Sequence, residues 1–188
     1  MKVIESKLKG VKLIEPKSFG DHRGFFMESY NEKLFHENGI TEKFIQDNHS
    51  LSKEAGVLRG MHYQLAPKAQ TKLIRVATGA IYDVVVDMRK GSPTYGEWEG
   101  YILSEHNKRQ LLVPKGFAHG FCTITENVNV LYKVDELYSP EHDRGVAWDD
   151  ENLSIDWPVS APILSEKDGK HPKLKDAENN FVWEDFKG

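Results

Sequence analysis

Short apolar segments rich in β-branched residues, each bounded by Gly, Pro or Asn, recur through the first two thirds of the 188-residue chain. Many short strands joined by such turns are typical of a β-sandwich or barrel. The predicted strands cover residues 12–15, 24–30, 44–50, 57–64, 72–77, 80–87, 97–103, 110–113, 120–125 and 127–136. Helix is sparse. The best candidate is 32–38, where Asn31 is placed to cap the start and Gly39 the end.

The clearest strand pattern consists of two β-branched runs, 72–77 and 80–87, which flank Thr78-Gly79 and predict a hairpin with a two-residue turn. In that register Ile74 lies opposite Asp83. Alternation then groups six side chains on one face: Lys72, Ile74, Val76, Ile81, Asp83 and Val85. If this face lines a barrel interior, the Lys and the Asp must pair or serve a ligand, because burying isolated charges is costly. If it faces water, they form an ordinary exposed salt bridge.

Charge and cysteine content narrow the classes of function. The chain carries 25 Lys plus Arg against 29 Asp plus Glu, a net charge of −4, and has no basic block of the kind that binds a nucleic-acid polymer. Apolar runs stay short of the roughly 20 residues that span a membrane, and the amino terminus lacks a signal-peptide core. Cys122 is the single cysteine, which excludes an internal disulfide. We expect a cytoplasmic protein with no membrane partner.

The chain shows no internal repeat, low-complexity tract or Pro/Ser-rich linker. Its length is close to that of one average domain, at about 150 residues each. Residues 1–188 are therefore expected to form a single domain, with an N-terminal strand extension and a short C-terminal helical tail.

Eight histidines are present, and five of them lie among charged loop residues that predict a solvated side chain: His22, His36, His106, His142 and His171. His62 differs because it lies inside the strand-like run 57–64. His119 differs because it follows the turn residues Pro114 and Gly116 at the start of a strand. Taken singly, each of these two is also compatible with a hydrogen-bonded structural histidine.

The segment Pro114-x-Gly116-x-x-His119 resembles the second motif of the cupins, jelly-roll barrels that often bind a metal in their interior. In metal-binding cupins the first motif supplies two further histidines and a glutamate. Here that region offers His62 alone and brings Lys68 and Lys72 instead. A divalent cation requires three or more neutral or anionic ligands, and nearby lysines oppose it. We therefore expect a cupin-like pocket with no metal and no cofactor.

A His, a Lys and a Tyr inside such a pocket suit the removal of a proton from a carbon next to a carbonyl group. Imidazole has a pKa near neutrality and so can act as the base, and a carboxylate partner would fix its tautomer. A lysine ammonium can stabilise the enolate oxygen, and a tyrosine on the other face can return a proton. Composition and spacing make this chemistry sensible without assigning it to residues.

Several motifs, taken together and in order, resemble the dTDP-4-dehydrorhamnose 3,5-epimerase family from about residue 11 to about residue 172. They are Asp21-x-Arg23-Gly24-x-Phe26-x-Glu28, Gln46-x-Asn48-x-Ser50, Leu58-Arg59-Gly60-Met61-His62-Tyr63-Gln64, Asp83-Val84-x-Val86-Asp87-x-Arg89-x-Gly91-Ser92-Pro93-Thr94-x-Gly96, Pro114-x-Gly116-Phe117-Ala118-His119-Gly120-Phe121, Tyr132-Lys133 and Ser165-x-Lys167-Asp168.

The resemblance implies a mainly β fold, a cupin-like double-stranded β-helix (jelly-roll) barrel with a few short helices. It implies a metal-independent homodimer that acts on a dTDP-4-keto-6-deoxy sugar in dTDP-L-rhamnose biosynthesis. By motif position, His62 is the expected base, Asp168 its partner and Tyr132 the acid. Lys72 would stabilise the enolate and would itself be oriented by Asp83.

Further positions match substrate contacts of the family: Arg23, Glu28, Gln46, Asn48, Arg59, His119 and Lys167. Phe26 and Tyr138 either pack or flank the nucleotide base, and Asp143 stands where the family often has Glu. Strict alternation places Arg59 and His62 on opposite faces of their strand. A bulge at Gly60 would bring them to the same face.

Other interpretations remain open at this point. Without the resemblance, Tyr132 is most simply a core aromatic and Asp168 a loop or capping carboxylate. Among enzymes, a 3- or 5-monoepimerase or a ketoisomerase would use the same base, and a metal-dependent cupin oxygenase lacks its ligands. A sugar-nucleotide-binding cupin without turnover is the non-enzymatic alternative.

Overall fold

The computed structural model describes residues 1–186 and consists mainly of antiparallel β-strands. The strands are β1 Lys2–Glu5, β2 Lys12–Glu15, β3 Ser18–Asp21, β4 Gly24–Met27, β5 Gln46–Ser52, β6 Leu58–Gln64, β7 Lys72–Thr78, β8 Ala80–Asp87, β9 Trp98–Ser104, β10 Gln110–Val113, β11 Phe117–Thr123, β12 Val128–Val134 and β13 Asp143–Gly145. One α-helix, α1, spans Glu32–Glu37, and three short 3-10 helices span Asp168–Lys170, Leu174–Asp176 and Trp183–Phe186. No helix among residues 1–186 has the length and apolar character needed to cross a membrane.

Two sheets face each other across a common interior. The six-stranded sheet has the order β1-β2-β10-β7-β12-β5, and the five-stranded sheet has the order β13-β6-β11-β8-β9. Apolar residues from both sheets form one buried cluster between them, including Ile74 and Val130 from the first and Val85 and Phe121 from the second. This is the mainly β sandwich that the strand pattern predicts and that the family resemblance implies as a jelly roll, with β3 and β4 forming a separate hairpin.

The outer face of each sheet is also covered. On the five-stranded sheet, Met61 and Val84 pack against Leu153 and Phe181 from the C-terminal segment. On the six-stranded sheet, Leu73 and Leu112 pack against Phe35 of α1 and the nearby Ile40. Burial on both faces explains why β8 and β11 contain few exposed positions.

The predicted hairpin between residues 72–77 and 80–87 is wrong. β7 pairs with β10 and β12 in one sheet, whereas β8 pairs with β9 and β11 in the other. Between them the chain turns at Gly79, whose φ is +82°, and a Cβ there would lie 2.5 Å from Thr125 Oγ1. Period-two alternation assigned the inward faces correctly, because both strands point the same residues into the interior. It carried no information on whether two consecutive strands pair or face each other.

Most other strand predictions are confirmed with shifts of a few residues at the ends. β4 ends at Met27 rather than residue 30, and β11 begins at Phe117 rather than 120. β1 lies in the expected N-terminal strand extension, for which no residue range was predicted, and the short strands β3 and β13 were not predicted. Helix α1 forms as expected, because the Asn31 side chain accepts a hydrogen bond from the Leu34 N–H at 3.1 Å and Gly39 follows the end with a φ of +73°.

Candidate active site

A cavity of about 450 Å³ opens between the two sheets. The six-stranded sheet supplies its wall from β5, β7 and β12, and the five-stranded sheet supplies the facing wall from β6 and β11. Residues 163–168 of the C-terminal segment close one side. The lining residues are Ser50, Val57, Leu58, Arg59, His62, Lys72, Ile74, His119, Phe121, Val130, Tyr132, Ile163, Leu164, Ser165, Lys167 and Asp168.

Seven residues expected from the sequence lie in this cavity: Arg59, His62, Lys72, His119, Tyr132, Lys167 and Asp168. Arg59 and His62 share it because β6 contains one extra residue relative to β11. The paired positions are His119 with His62 and Phe121 with Arg59, so three steps on β6 match two on β11. Gly60 lies at this bulge with a φ of +132°. The bulge that the sequence left open at Gly60 is present in the structure.

His62 and Asp168 form a close pair. The distance between His62 Nε2 and Asp168 Oδ1 is 2.6 Å, and the Asp168 residue is 5% exposed. A carboxylate only accepts hydrogen bonds, so Nε2 carries the proton and Nδ1 is left as the basic nitrogen. Burial is the largest influence on the pKa of His62 and, with smaller contributions from Lys72 and His171, lowers it below its ordinary value; the hydrogen bond and charge of Asp168 act in the opposite direction. Burial raises the pKa of Asp168, but the neighbouring His171 and His62 rings outweigh burial and hold it well below its usual range.

His171, expected to be solvated, is buried beside this pair. Its side chain is 8% exposed, and its Nε2 lies 3.4 Å from the same Asp168 Oδ1. The His62 and His171 rings meet edge to face, with centroids 5.4 Å apart. The solvated assignment is wrong because the His171 ring lies over Gly145 of β13 and beside Asp168. The neighbouring lysines stay at the surface, where Lys170 pairs with Glu166 and Lys173 with Asp149. The i,i+3 spacing of Asp168 and His171 was the signal that could have revealed the contact.

Lys72 points into the interior from the first position of β7. Burial lowers its pKa to about 8, against the opposing influence of the Asp143 and Asp83 carboxylates. Both oxygens of Asp83 lie close to His119 Nε2, at 2.9 and 3.0 Å. Asp83 is fully buried and lies behind His119, so its effect on Lys72 is through charge rather than a direct hydrogen bond.

Tyr132 lies on β12, on the wall opposite His62. Cross-strand pairing sets it between Asn48 of β5 and Ile74 of β7. Burial raises the pKa of the Tyr132 hydroxyl above its ordinary value, and nearby Arg59 offsets only part of that rise. The hydroxyl is therefore protonated at neutral pH. The Tyr132 ring packs against the interior cluster, as the structural interpretation predicts, and it also lines the cavity.

A second recess of about 250 Å³ adjoins the cavity and shares His62, Lys72, Tyr132 and Lys167 with it. Four more of the expected substrate-contacting residues line this recess: Gln46, Asn48, Tyr138 and Asp143. Asp143 pairs with Lys167 and accepts a hydrogen bond from the Tyr138 hydroxyl at 3.0 Å. Tyr138 itself is 58% exposed, which leaves its ring free to contact a ligand.

Four expected residues lie outside both spaces. One is Asp83, which is fully buried against His119 and therefore cannot contact a ligand in the cavity directly. The other three lie at or near the β3–β4 hairpin. Arg23 and Phe26 belong to the exposed β3–β4 hairpin, where Arg23 pairs with Asp21 at 2.7 Å and Phe26 is 67% exposed. Glu28 follows the hairpin and accepts hydrogen bonds from Asn31 at 3.3 Å. Within one chain, the structure does not bring these residues to the cavity.

One group of side chains within residues 1–186 has ligand atoms close enough to hold a metal ion: His62, Asp168 and His171, within 4.8 Å of one another. The His62 and Asp168 atoms of this group are already joined by a hydrogen bond. The Lys72 ammonium also acts on His62 and opposes a second cation there. The arrangement therefore fits an acid–base pair better than a metal centre.

Comparison with known proteins identifies the family. Residues 5–176 match the family model for dTDP-4-dehydrorhamnose 3,5-epimerase. The dTDP-4-dehydrorhamnose 3,5-epimerase of Shigella flexneri is 51% identical over 179 residues, which cover 95% of this chain and 98% of that protein.

Two solved structures of such enzymes superpose closely on the chain. The Bacillus anthracis enzyme, solved with TDP and pyrophosphate bound, has a TM-score of 0.90 and 61% identity, covering 92% of this chain and 98% of that one. The Legionella pneumophila enzyme, in complex with dTDP-4-keto-L-rhamnose, has a TM-score of 0.89 and 46% identity, covering 93% of each chain. The chain described here therefore belongs to the dTDP-4-dehydrorhamnose 3,5-epimerase family of isomerases.

Proposed function

We propose that the chain inverts C3 and C5 of dTDP-4-dehydro-6-deoxy-D-glucose to give dTDP-4-dehydro-L-rhamnose, with its own cavity residues as acid and base. The observation that carries this mechanism is the placement of His62 and Tyr132 on facing walls of one cavity. A base on one side of a sugar ring and an acid on the other are what inversion at carbon requires. The names of the relatives and the ligands of the two solved structures support the substrate class.

Proton removal falls to His62. The C4 ketone acidifies the hydrogens on C3 and C5, so a base with a pKa near or below neutrality is sufficient if it is well placed. The lowered pKa of His62 keeps the ring neutral at physiological pH. Asp168 holds Nε2–H, which leaves Nδ1 to take the substrate proton and lets the carboxylate stabilise the imidazolium that forms.

Lys72 stabilises the enolate. Its pKa of about 8 leaves most of the ammonium charged at pH 7, and it lines both the cavity and the adjoining recess. A cation placed at the developing oxyanion in a water-poor cavity is typically worth about 100- to 1,000-fold in rate. Tyr132 then returns a proton from the opposite face, which completes each inversion.

The remaining cations suit the diphosphate. Arg59 and Lys167 lie around the same cavity, and the His119 ring lines it beside them. A guanidinium can hold phosphate oxygens in a bidentate manner. The exposed Tyr138 ring is available to pack on the nucleotide base.

The exposed hairpin supports a homodimer. Arg23 and Phe26 match substrate-contacting positions of the family but lie outside their own cavity. Two further aromatic rings of the hairpin, Phe19 and Phe25, are 55% and 59% exposed, which is unusual for a free surface. A second copy of the chain would cover these rings and receive Arg23 at its own cavity.

Mixing two inactive variants tests the shared site. Arg23→Ala and His62→Asn are purified separately, then unfolded and refolded together. If the hairpin serves the partner, each mixed dimer contains one intact site, and statistical mixing restores about a quarter of the wild-type activity. Mixtures that stay as inactive as the separate variants would show that Arg23 serves its own chain, and wild-type activity of Arg23→Ala alone would show that Arg23 does not contribute.

Hydrogen exchange with NMR detection tests the reaction. In heavy water without added metal, the keto sugar should acquire deuterium at C3 and C5 and emerge with both centres inverted. Deuterium at one carbon alone would identify a monoepimerase. A product whose keto group has moved to another carbon would identify a ketoisomerase. If the substrate binds but both carbons retain protium, the chain is a sugar-nucleotide-binding protein without turnover. That result would overturn the proposal.

A further inference from the structure

We propose that His171 is a positioning residue for the catalytic pair, which holds the Asp168 carboxylate toward His62 from a pocket formed over Gly145. The inference rests on the proposed function and adds a residue to it. His171 does not line the cavity, so it acts on the substrate through Asp168.

The contact geometry points to Asp168 as the partner of His171. His171 Nε2 is buried without a well-formed hydrogen bond, and Asp168 Oδ1 lies 3.4 Å away. A buried ring nitrogen left unpaired costs about 1–3 kcal/mol, so a small rotation that brings Nε2–H onto the carboxylate is favoured. The same oxygen then accepts from two imidazoles, one at each side.

Local backbone structure fixes both side chains in one turn. Asp168 begins a 3-10 helix that ends at Lys170, and His171 is the next residue. The Asp168 N–H donates to Ser165 Oγ at 3.1 Å, which anchors the start of the turn. The Ala147 N–H donates to the Pro172 carbonyl at 2.8 Å, which anchors the chain just after His171. His171 is therefore held from both sides.

Gly145 provides the space for the ring. β13 pairs with β6, and Gly145 is the residue directly opposite His62. A Cβ on Gly145 would lie 2.4 Å from both Nδ1 and Cε1 of His171. The imidazole thus rests on bare backbone next to the catalytic strand, and any larger residue at this position would push it off Asp168.

The electrostatic consequence concerns how tightly His62 holds a proton. The titratable and charged groups around His62 come from every neighbouring element. They are Arg59 and Tyr63 on its own strand, Lys72 on β7, His119 on β11, Tyr132 on β12, Tyr138, Asp143 on β13, and Lys167, Asp168 and His171 on the C-terminal segment. His171 competes for the carboxylate and lies edge to face with the His62 ring, and its presence lowers the pKa of His62. Without His171, the Asp168 carboxylate interacts with the His62 imidazole only, which should raise the pKa of His62.

Three variants test the role by steady-state kinetics across pH. His171→Leu should lower kcat about 10- to 100-fold through a misplaced base, leave KM within about twofold, and shift the acidic limb of the pH profile to higher pH. His171→Asn, which retains a donor without titrating, should recover part of kcat. His106→Leu, a histidine change at an exposed turn, is the matched control and should behave as wild type.

Two results would overturn the proposal. One is wild-type kcat and an unmoved acidic limb in His171→Leu. The other is equal losses in His171→Leu and His171→Asn with an unmoved limb, which would assign the ring a space-filling role.

The wild-type protein offers a test that needs neither a folded variant nor turnover. In a ¹⁵N-histidine spectrum at neutral pH, His171 should carry a proton on Nε2, the nitrogen that faces Asp168. A neutral ring protonated on Nδ1 alone would present a lone pair to the carboxylate and contradict the proposal. Failure of the epimerase assignment would appear elsewhere, as absent hydrogen exchange by the wild-type enzyme, so the two failures are distinguishable.

Discussion

At the scale of single residues, the cavity combines groups whose ionisation is set by burial. His62 is kept neutral and Tyr132 protonated by the same exclusion of water, while Lys72 retains most of its charge at pH 7. The residue types could be predicted from the motifs. The part played by His171 could not, because its lysine-rich neighbourhood in the sequence is typical of a solvated loop, and the burial arises only when the C-terminal turn folds onto β13.

These pKa shifts predict a bell-shaped pH dependence of kcat/KM. Activity requires His62 unprotonated, and burial lowers its pKa, so the acidic limb should lie below the usual imidazole value of about 6.5. Activity also requires Lys72 protonated, so rate should fall as pH rises through about 8. In Lys72→Arg the guanidinium stays charged, so the fall in rate at high pH should disappear. The rate of this variant should be lower than that of the wild type at every pH, because the larger group is misplaced. A basic limb unchanged in Lys72→Arg would show that another group is responsible.

At the scale of elements, the site depends on a local irregularity within one strand. Regular alternation would separate Arg59 from His62, and the extra residue at Gly60 brings both to the cavity. A glycine inside a strand-like run is a sequence signal for such a bulge, so this feature was open to prediction. The strands that pair with β7 could not be predicted, because alternation fixes the face of a strand but not its neighbour. Thr78-Gly79 equally suits a hairpin turn or a corner between sheets.

The bulge predicts an unequal cost for two glycine substitutions. Gly60 and Gly24 share a φ of +132°, yet a Cβ on Gly60 would lie 2.5 Å from Gly120 Cα and one on Gly24 would meet nothing within 4 Å. Gly24→Ala should cost about 1–3 kcal/mol of unfolding free energy from backbone strain. Gly60→Ala should cost more, because the clash is with backbone. Urea denaturation measures both, and equal losses would contradict this account of the bulge.

At the scale of the whole molecule, the two facing sheets place the proposed base, His62, and the proposed acid, Tyr132, on opposite walls of the cavity. The net charge of −4 argues against binding to a nucleic-acid polymer. A local group of cations nevertheless surrounds the cavity. Global charge therefore could not predict the ligand. The strand content was predictable from alternation, whereas the closure of the cavity by residues 163–168 depends on long-range packing that no local pattern encodes.

Packing on both outer faces supports the proposal of a single domain. Both sheets contribute side chains to the shared interior cluster, while the C-terminal segment covers the outer face of the five-stranded sheet and α1 covers that of the six-stranded sheet. We expect one cooperative unfolding transition, with far-ultraviolet circular dichroism and tryptophan fluorescence giving coincident curves. Early loss of the tryptophan signal, reported by Trp157 and Trp183 in the C-terminal segment, would mean that this segment unfolds separately.

The central claim is that the base and the acid act from opposite walls of the cavity. The most direct measurement compares hydrogen exchange with inversion of configuration at C3 and C5 in two variants, Tyr132→Phe and His62→Asn. Each variant is incubated with the keto sugar in heavy water, and NMR follows deuterium and configuration at C3 and C5. Tyr132→Phe should still incorporate deuterium, because His62 remains, but should recover most of the sugar uninverted, whereas His62→Asn should show neither process. Inversion by Tyr132→Phe at the wild-type rate, or exchange by His62→Asn at the wild-type rate, would contradict the account.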